Sequence, residues 1–247
     1  MNRETVVKKA VDVLINVPPS EVDEVLALIR QELVGKYRVY KAEELLTLAN
    51  EQIARLRQRL CELFTQGEVT SEQVDAIVAC LESKRDEAIA KVADVQIIGT
   101  HVPLLAAISK DFLTASVQMP MVQHGEKIGT NYLADDAITD EVELPEGCAL
   151  WLTDVEDGQQ FLGVSPKDAE AVIEEQGRLR VIATGAVALG IHTDVLSRHY
   201  VDAPGSRFKG AHEVPNLCLR DGKPGLGSGN VGDAVAEWGS ASCSSYI

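Results

Sequence analysis

The chain has 247 residues, 38 acidic and 23 basic side chains, a formal net charge of -15, and 45% apolar against 4% aromatic residues. That apolar content suffices for one or two globular domains and separates the chain from disordered sequences. The excess of acid disfavours nucleic acid, whose phosphates need a basic face, and no apolar run approaches the roughly 20 residues that span a bilayer.

In chain order, the first 93 residues read as helical. Asn2 can cap a helix over about 3 to 16 that ends before Pro18-Pro19, and Ser20 caps a second with Val22, Val25, Leu26 and Ile29 on one face. A third helix, 42 to 65, carries Leu46, Ala49, Ile53, Leu56, Leu60 and Leu63 at alternating spacings of three and four, a narrow packing seam. Thr70-Ser71-Glu72-Gln73 is a Thr-x-x-Gln capping box for a fourth helix, to about residue 92, with Val74, Val78, Leu81, Ala88 and Val92 in the same period and Arg85 interrupting it. The Gly-containing break at 66–68 suits a helical hairpin, with a dimerising coiled coil as the other use of such a seam.

From residue 94 the pattern changes, which divides the chain into a helical region, 1–93, and an α+β domain, 94–247. Val95–Ile98 and Val102–Ile108 are short apolar runs that fit either strands or buried helical turns. Val117 to Gln123 reads as extended because of Pro120, and Val142-Glu143-Leu144 alternates as a strand does. Leu150–Val155 and Gln160–Val164 flank Glu156-Asp157-Gly158-Gln159, a strong β-hairpin signal that puts the intervening acids at a hairpin tip. Ser165-Pro166 starts a helix that stops at Gly177, and Thr184 can cap another running from Gly185 to His192. The C-terminus is turn-rich around short strands such as Val214 to Arg220.

The acidity is local. Residues 135–175 hold 13 acids against the single base Lys167, a net -12, which reads as a solvated face or a docking face for a basic partner. The N-terminus, MNRETVVKKA, lacks the apolar core of a secretory signal, and the five scattered cysteines form no CxxC pair. Both features point to a reduced cytoplasmic compartment, and no cofactor or metal pattern stands out.

The stretches Asn131-Tyr132-Leu133, Leu152-Thr153-Asp154-Val155-Glu156-Asp157-Gly158, Ser165-Pro166, Gly205-Ser206-Arg207, Val214-Pro215, Lys223-Pro224-Gly225-Leu226-Gly227 and Trp238-Gly239-Ser240-Ala241-Ser242-Cys243 resemble a bacterial family known only as a domain of unknown function. The resemblance covers roughly residues 95 to 247, is most distinctive in its final third, and implies a grouping without a mechanism. Where the family's Leu-Gly step leads into an aromatic-rich stretch, this chain has Ser228-Gly229-Asn230-Val231-Gly232.

Several residues carry candidate chemistry. Gly227 to Gly232 fits GxGxxG, but only 15 residues follow, too few for a dinucleotide unit, so a glycine-rich turn is expected. Cys243 among small residues is a candidate nucleophile, with His192 or His212 as its base. Arg207 is a candidate fork for a ligand carboxylate or phosphate, or else a structural partner for one of the many acids. Trp238, Ser240 and Ser242 complete the candidate ligand-binding set.

The expectation from sequence is an uncharacterised cytoplasmic α+β protein acting as a non-catalytic binding or interaction module. Its partner would be another protein, or a second copy met through the N-terminal helices. The competing expectation is a small cysteine-dependent enzyme acting on an anionic substrate through Cys243.

Overall fold

The computed structural model describes residues 37–247. The helices expected over residues 3 to 16 and from Ser20 onward lie outside the described residues. The chain runs β1 (Tyr37–Val39), α1 (Ala42–Thr65), α2 (Ser71–Val92), β2 (Gln96–Ile98), β3 (Val102–Ile108), α3 (Ala115–Gln118), β4 (Gln123–His124), β5 (Lys127–Ile128), β6 (Thr130–Asn131), β7 (Ile138–Asp140) and β8 (Ala149–Val155). It continues α4 (Pro166–Glu175), β9 (Leu179–Arg180), α5 (Ala183–His192), β10 (Tyr200–Asp202), β11 (Ser206–Phe208), β12 (Glu213–Arg220), β13 (Lys223–Asn230), β14 (Trp238–Ser240), β15 (Ser242–Cys243) and β16 (Ser245–Tyr246). This is an α+β mixture.

The two long helices have the bounds their sequence predicts. Thr70 Oγ1 accepts the Gln73 N–H at 3.2 Å while the Gln73 side chain accepts the Thr70 N–H at 2.9 Å, so the capping box fixes where α2 begins. The α1 seam starts at Leu45 rather than Leu46, which is exposed. It also includes a buried Gln52, which donates to the Leu104 carbonyl at 2.7 Å and accepts the Ala106 N–H at 2.8 Å. Arg85 breaks the α2 period because it reaches across to Asn50 Oδ1 at 2.9 Å.

Both ambiguous apolar runs are strands. β3 pairs antiparallel with β8, and β16 joins β8 on its other edge. Leu104, Ala106, Ile108, Ala149 and Trp151 belong to the core shared with α1 and α2, whereas Leu105, Ala107, Leu150 and Leu152 belong to a second core around α5. Burial on both faces is why these strands read as continuous apolar runs without alternation. Trp151 Nε1 donates to the Leu81 carbonyl at 3.0 Å, satisfying the one polar atom of the largest buried side chain.

The second sheet has the order β14-β10-β12-β11-β7, with β13 pairing β12 and β6. Its Val201, Leu217 and Leu226 enter the core around α5. Every residue of α5 from Ala183 to Gly190 is buried, and its small residues make room for close neighbours. A Cβ at Gly185 would meet Leu152 Cδ2 at 3.2 Å, and one at Gly190 would meet Leu217 Cδ2 at 2.8 Å. The helix therefore touches both sheets.

Five local expectations fail for identifiable reasons. Val117 to Gln123 is not extended: Pro120 sits in the first turn of a short 3₁₀ helix, Met119–Met121, a position where its missing N–H costs nothing, and Met119 and Met121 are both buried. Residues 142–144 pair with no strand; the ladder with β11 ends at Asp140. No hairpin forms at 150–164, because Gln159–Phe161 turns into a 3₁₀ helix and β8 finds its partners in β3 and β16. The Asp-Gly hairpin of this fold is instead β12–β13, where Asp221 (φ 53°) and Gly222 (φ 72°) both take the left-handed values of a two-residue turn. Residues 227–230 are strand rather than turn, and Thr184 lies inside α5, whose N-cap is Ile182 without a side-chain cap.

Gly158 and Gly239 approach each other backbone to backbone, and a Cβ on either would overlap the other's carbonyl group. Gly239→Ala is therefore expected to lose about 3 kcal/mol or more, the upper range for overpacking. Gly232→Ala, whose Cβ meets only Asn230 Oδ1 at 3.4 Å, should change stability by less than about 0.5 kcal/mol. Equal urea midpoints for the two variants would contradict this packing.

Candidate functional site

The N-terminus of α5 opens on a cavity of ≈ 450 Å³ lined by Lys110, Asp111, Thr114, Ala115, Asp135, Asp136, Ile138, Thr139, Ala183 and Thr184. A helix start leaves N–H groups without intrahelical partners, and this one has no capping side chain of its own. Ser206 Oγ accepts the Ala183 N–H at 2.8 Å, and Tyr246 Oη accepts the Ile182 N–H at 3.2 Å. Among the described residues nothing accepts from the Thr184 and Gly185 N–H groups, and the buried Thr184 Oγ1 has no hydrogen-bond partner.

Charge around this cavity is divided. The helix start carries partial positive charge, and Lys110 adds a full one, with its Nζ 3.8 Å from Asp140 and 3.5 Å from Asp111. Burial raises the Asp140 carboxyl above its usual range against the hydrogen bond from Ser206 Oγ. Asp111, Asp135 and Asp136 stand on the rim. Asp135 Oδ1 accepts the Ser116 N–H at 3.1 Å and Asn131 Nδ2 at 3.0 Å, so it is oriented by the fold, while Asp136 is exposed. The cavity thus combines unpaired helix-start donors and an ammonium with several carboxylates.

A second constellation surrounds Asp154, which takes a left-handed φ of 48°. Its carboxylate holds His101 Nδ1 at 2.7 Å, Arg178 Nη1 at 2.7 Å and Ser244 Oγ at 2.7 Å, and Arg178 Nε also donates to Ser242 Oγ at 2.9 Å. Burial alone would raise Asp154; the His101 hydrogen bond and the Arg178 charge overcome it and hold the group at about 2. His101, Arg178 and Ser244 face a smaller cleft of ≈ 230 Å³ with Gln160 and Gln176. Beside it, burial pushes Glu156 up to about 7, although the Gln160 and Gly158 N–H groups donate to it.

The acidic stretch 135–175 is therefore not simply a solvated face. Asp154 pairs with Arg178, Asp157 with Arg198 at 2.8 Å, and Glu170 with Arg207 at 2.7 Å and Arg180 at 3.3 Å. Glu156 and Asp157 are buried rather than placed at a hairpin tip.

The residues singled out from sequence do not assemble into one site. Cys243 is fully buried on β15, and burial pushes its thiol up to about 12; the groups that perturb it are Tyr246, Arg178 and Asp154, with no histidine among them. His192 ends α5 with neither ring nitrogen hydrogen-bonded, and burial lowers it to about 3. His212 is exposed ahead of β12. Arg207 is buried with its fork occupied by Glu170, by Glu141 at 3.2 Å, and by the carbonyls of Pro204 and Ser206. Ser242 is taken up by Arg178. Trp238 and Ser240 lie on β14, Trp238 lining a third cavity and Ser240 with its hydroxyl unpartnered.

The family model of a family of unknown function (DUF5701) matches residues 59–245. The chain belongs to this family. The DUF5701 match begins within α1 and takes in all of α2, so it reaches further toward the N-terminus than the resemblance over 95 to 247. No curated protein and no solved structure matches the chain. Among the described residues, no group of three or more His, Cys, Asp or Glu side chains is arranged to hold a metal ion, and no helix is long and apolar enough to cross a membrane.

Sequence reasoning missed Lys110, His101 and Arg178 as site residues and read Thr184 only as a cap. Asp154 lay inside a family-like stretch, but nothing in one sequence marks a left-handed aspartate.

Arg178→Met leaves a buried carboxylate without its full charge partner and is expected to cost about 3 kcal/mol at pH 7. The folded value of about 2 for Asp154 lies below its ordinary 3.8, so its contribution is complete above that value and is lost as pH falls through about 2. The gap between wild type and Arg178→Met should be full at neutral pH and close toward pH 2. A gap in denaturant midpoints that does not change with pH would contradict the pairing.

Proposed function

We propose that the protein is a non-catalytic binding protein and that its ligand is a small zwitterion carrying a carboxylate and an amine, the chemistry of a free amino acid. The carboxylate meets the α5 N-terminus and Lys110, and the amine meets Asp111, Asp135 or Asp136. The observation that carries this reading is Thr184, at the wall of the ≈ 450 Å³ cavity: its buried Oγ1 has no partner, and no described residue accepts its N–H. Buried donors and acceptors are normally paired, so an unpaired set at a helix N-terminus favours an anionic group from outside. The acids lining the same cavity disfavour a ligand that is anionic throughout.

The alternative of a cysteine-dependent enzyme draws little support from a thiol that is fully buried and shifted away from thiolate. A partner interface along α1 draws equally little. Leu46 and Phe64, its exposed large apolar side chains, stand singly, 18 positions apart.

Calorimetric titration with a set of free amino acids, their amides and their decarboxylated amines tests the reading. Binding at this cavity should require both charged groups, and Thr184→Val and Lys110→Met should each weaken it by about tenfold, the value of one hydrogen bond to a charged group. Tight binding of the amines alone, or of dicarboxylates with no amine, that either variant weakens would overturn it.

A further inference from the structure

Two of the unpartnered buried polar atoms, Ser240 Oγ and Asn216 Oδ1, lie on the face of the second sheet turned away from the α5 core. In register, Ser240 of β14 stands beside Asp202 of β10, Asp202 beside Asn216 of β12, and Asn216 beside Gly227 of β13. Paired residues share a face, and so do residues two apart on one strand, so Trp238, Ser240, Tyr200, Asp202 and Asn216 line one side of the sheet. The opposite side carries Val201, Leu217 and Leu226 into the α5 core.

This polar row has acceptors without donors. Ser240 Oγ and Asn216 Oδ1 have no hydrogen-bond partner, and Ser240 and Asn216 are 0% and 2% exposed. Asp202 is 4% exposed, and no hydrogen bond from a described residue acts on its carboxylate. Burial alone pushes that group up to about 7, with no neighbouring cation to offset it. Arg220, on the same face of β12, is stacked over the Tyr132 ring at 4.6 Å, and its guanidinium also lies over Gly227, where a Cβ would overlap Nη2. The glycines of β13 give the row its floor: a Cβ at Gly227 would also stand 3.2 Å from Asn216 Oδ1, and one at Gly229 3.2 Å from Asn216 Nδ2. That packing is what the GxGxxG-like spacing provides here.

Asp202, Asn216, Asn230, Asp233, Val235 and Trp238 all line a cavity of ≈ 160 Å³ that shares no lining residue with the α5 cavity. It holds several times the roughly 30 Å³ of a single water molecule. Two carboxylates exclude an anion. The aromatic and apolar walls suit an alkyl group better than a hydrated metal ion, and the negative face of an indole attracts an organic cation.

We propose that this cavity binds an alkylammonium group, whose N–H donors meet Asp202 and Asn216, with Ser240 next in the row, and whose carbon chain lies against Trp238 and Val235. The group belongs either to a free amine or to a lysine side chain of a partner protein.

The test is titration of the full-length protein with n-butylammonium, n-butanol, potassium ion and a lysine-containing peptide. It is run near pH 8, above the Asp202 value of about 7, so that Asp202 is ionised. Saturable binding of butylammonium is expected, with none of butanol and no competition by potassium. Asp202→Asn should weaken binding about tenfold or more, while its melting temperature stays at or above the wild-type value because a buried unpaired carboxylate has been removed. Trp238→Leu should weaken binding about threefold or more. A peptide that binds about tenfold tighter than butylammonium assigns the group to a protein lysine; equal or weaker peptide binding assigns it to a free amine. Butanol binding as well as butylammonium, potassium displacing it, an unchanged affinity in a folded Asp202→Asn, or no saturable binding of either amine overturns the proposal. None of these outcomes bears on the α5 cavity, because the two sites share no residue.

Discussion

The burial of α5 between two sheets is the constraint on which the rest of the structure depends. A helix hidden on nearly all sides has no place for charged side chains, and Ala183-Thr184-Gly185-Ala186-Val187-Ala188-Leu189-Gly190 brings no ionisable group before His192. Its small residues let Leu152 of one sheet and Leu217 of the other approach closely, and its C-terminal carbonyl at His192 is met by Arg55 Nη1 from α1 at 2.9 Å. Because Ser206 and Tyr246 satisfy only the Ala183 and Ile182 N–H groups at its start, the same burial delivers the Thr184 and Gly185 donors unpaired to the wall of the ≈ 450 Å³ cavity. The packing and the candidate site are consequences of one choice of residues.

Electrostatics follow a second, simpler rule. The chain concentrates acid in residues 135–175 and supplies Arg178, Arg180, Arg198 and Arg207 just beyond it. Folding brings the two together: each of these arginines pairs with an acid of the block. Such pairs set geometry more than they add stability, since desolvation offsets much of their attraction. They tie α4, β9, the end of β8 at Asp154 and the turn at Asp157 to their neighbours. Asp111, Asp135 and Asp136 at one cavity and Asp202 at another have no arginine partner and line open volume.

Features written in local sequence were legible. The Thr70–Gln73 capping box, the three-four seam of α1, Ser165-Pro166 and Gly177 each fixed an element end through contacts only a few residues apart. Features that depend on what packs above a segment were not. Gly158 follows an aspartate exactly as a hairpin turn does, yet it lies against the Gly239 backbone, so the chain leaves the strand instead of returning along it. The run Val102–Ile108 could not be assigned because it is buried on both faces. Cys243 looked reactive for its small neighbours, but those neighbours are small because the segment threads between Leu179 and Glu156. Thr184 was visible only as a cap, since its missing partner is a property of three dimensions.

Within its family of unknown function, this chain combines a buried scaffold helix with an open, bipolar cavity at that helix's start. The most direct measurement of this account is an amide NMR titration of the full-length protein with a free amino acid. The account predicts that the Thr184 and Gly185 N–H resonances move downfield and saturate together, because both donate to the same carboxylate. Saturable shifts elsewhere in the protein, with Thr184 and Gly185 unmoved, would contradict it.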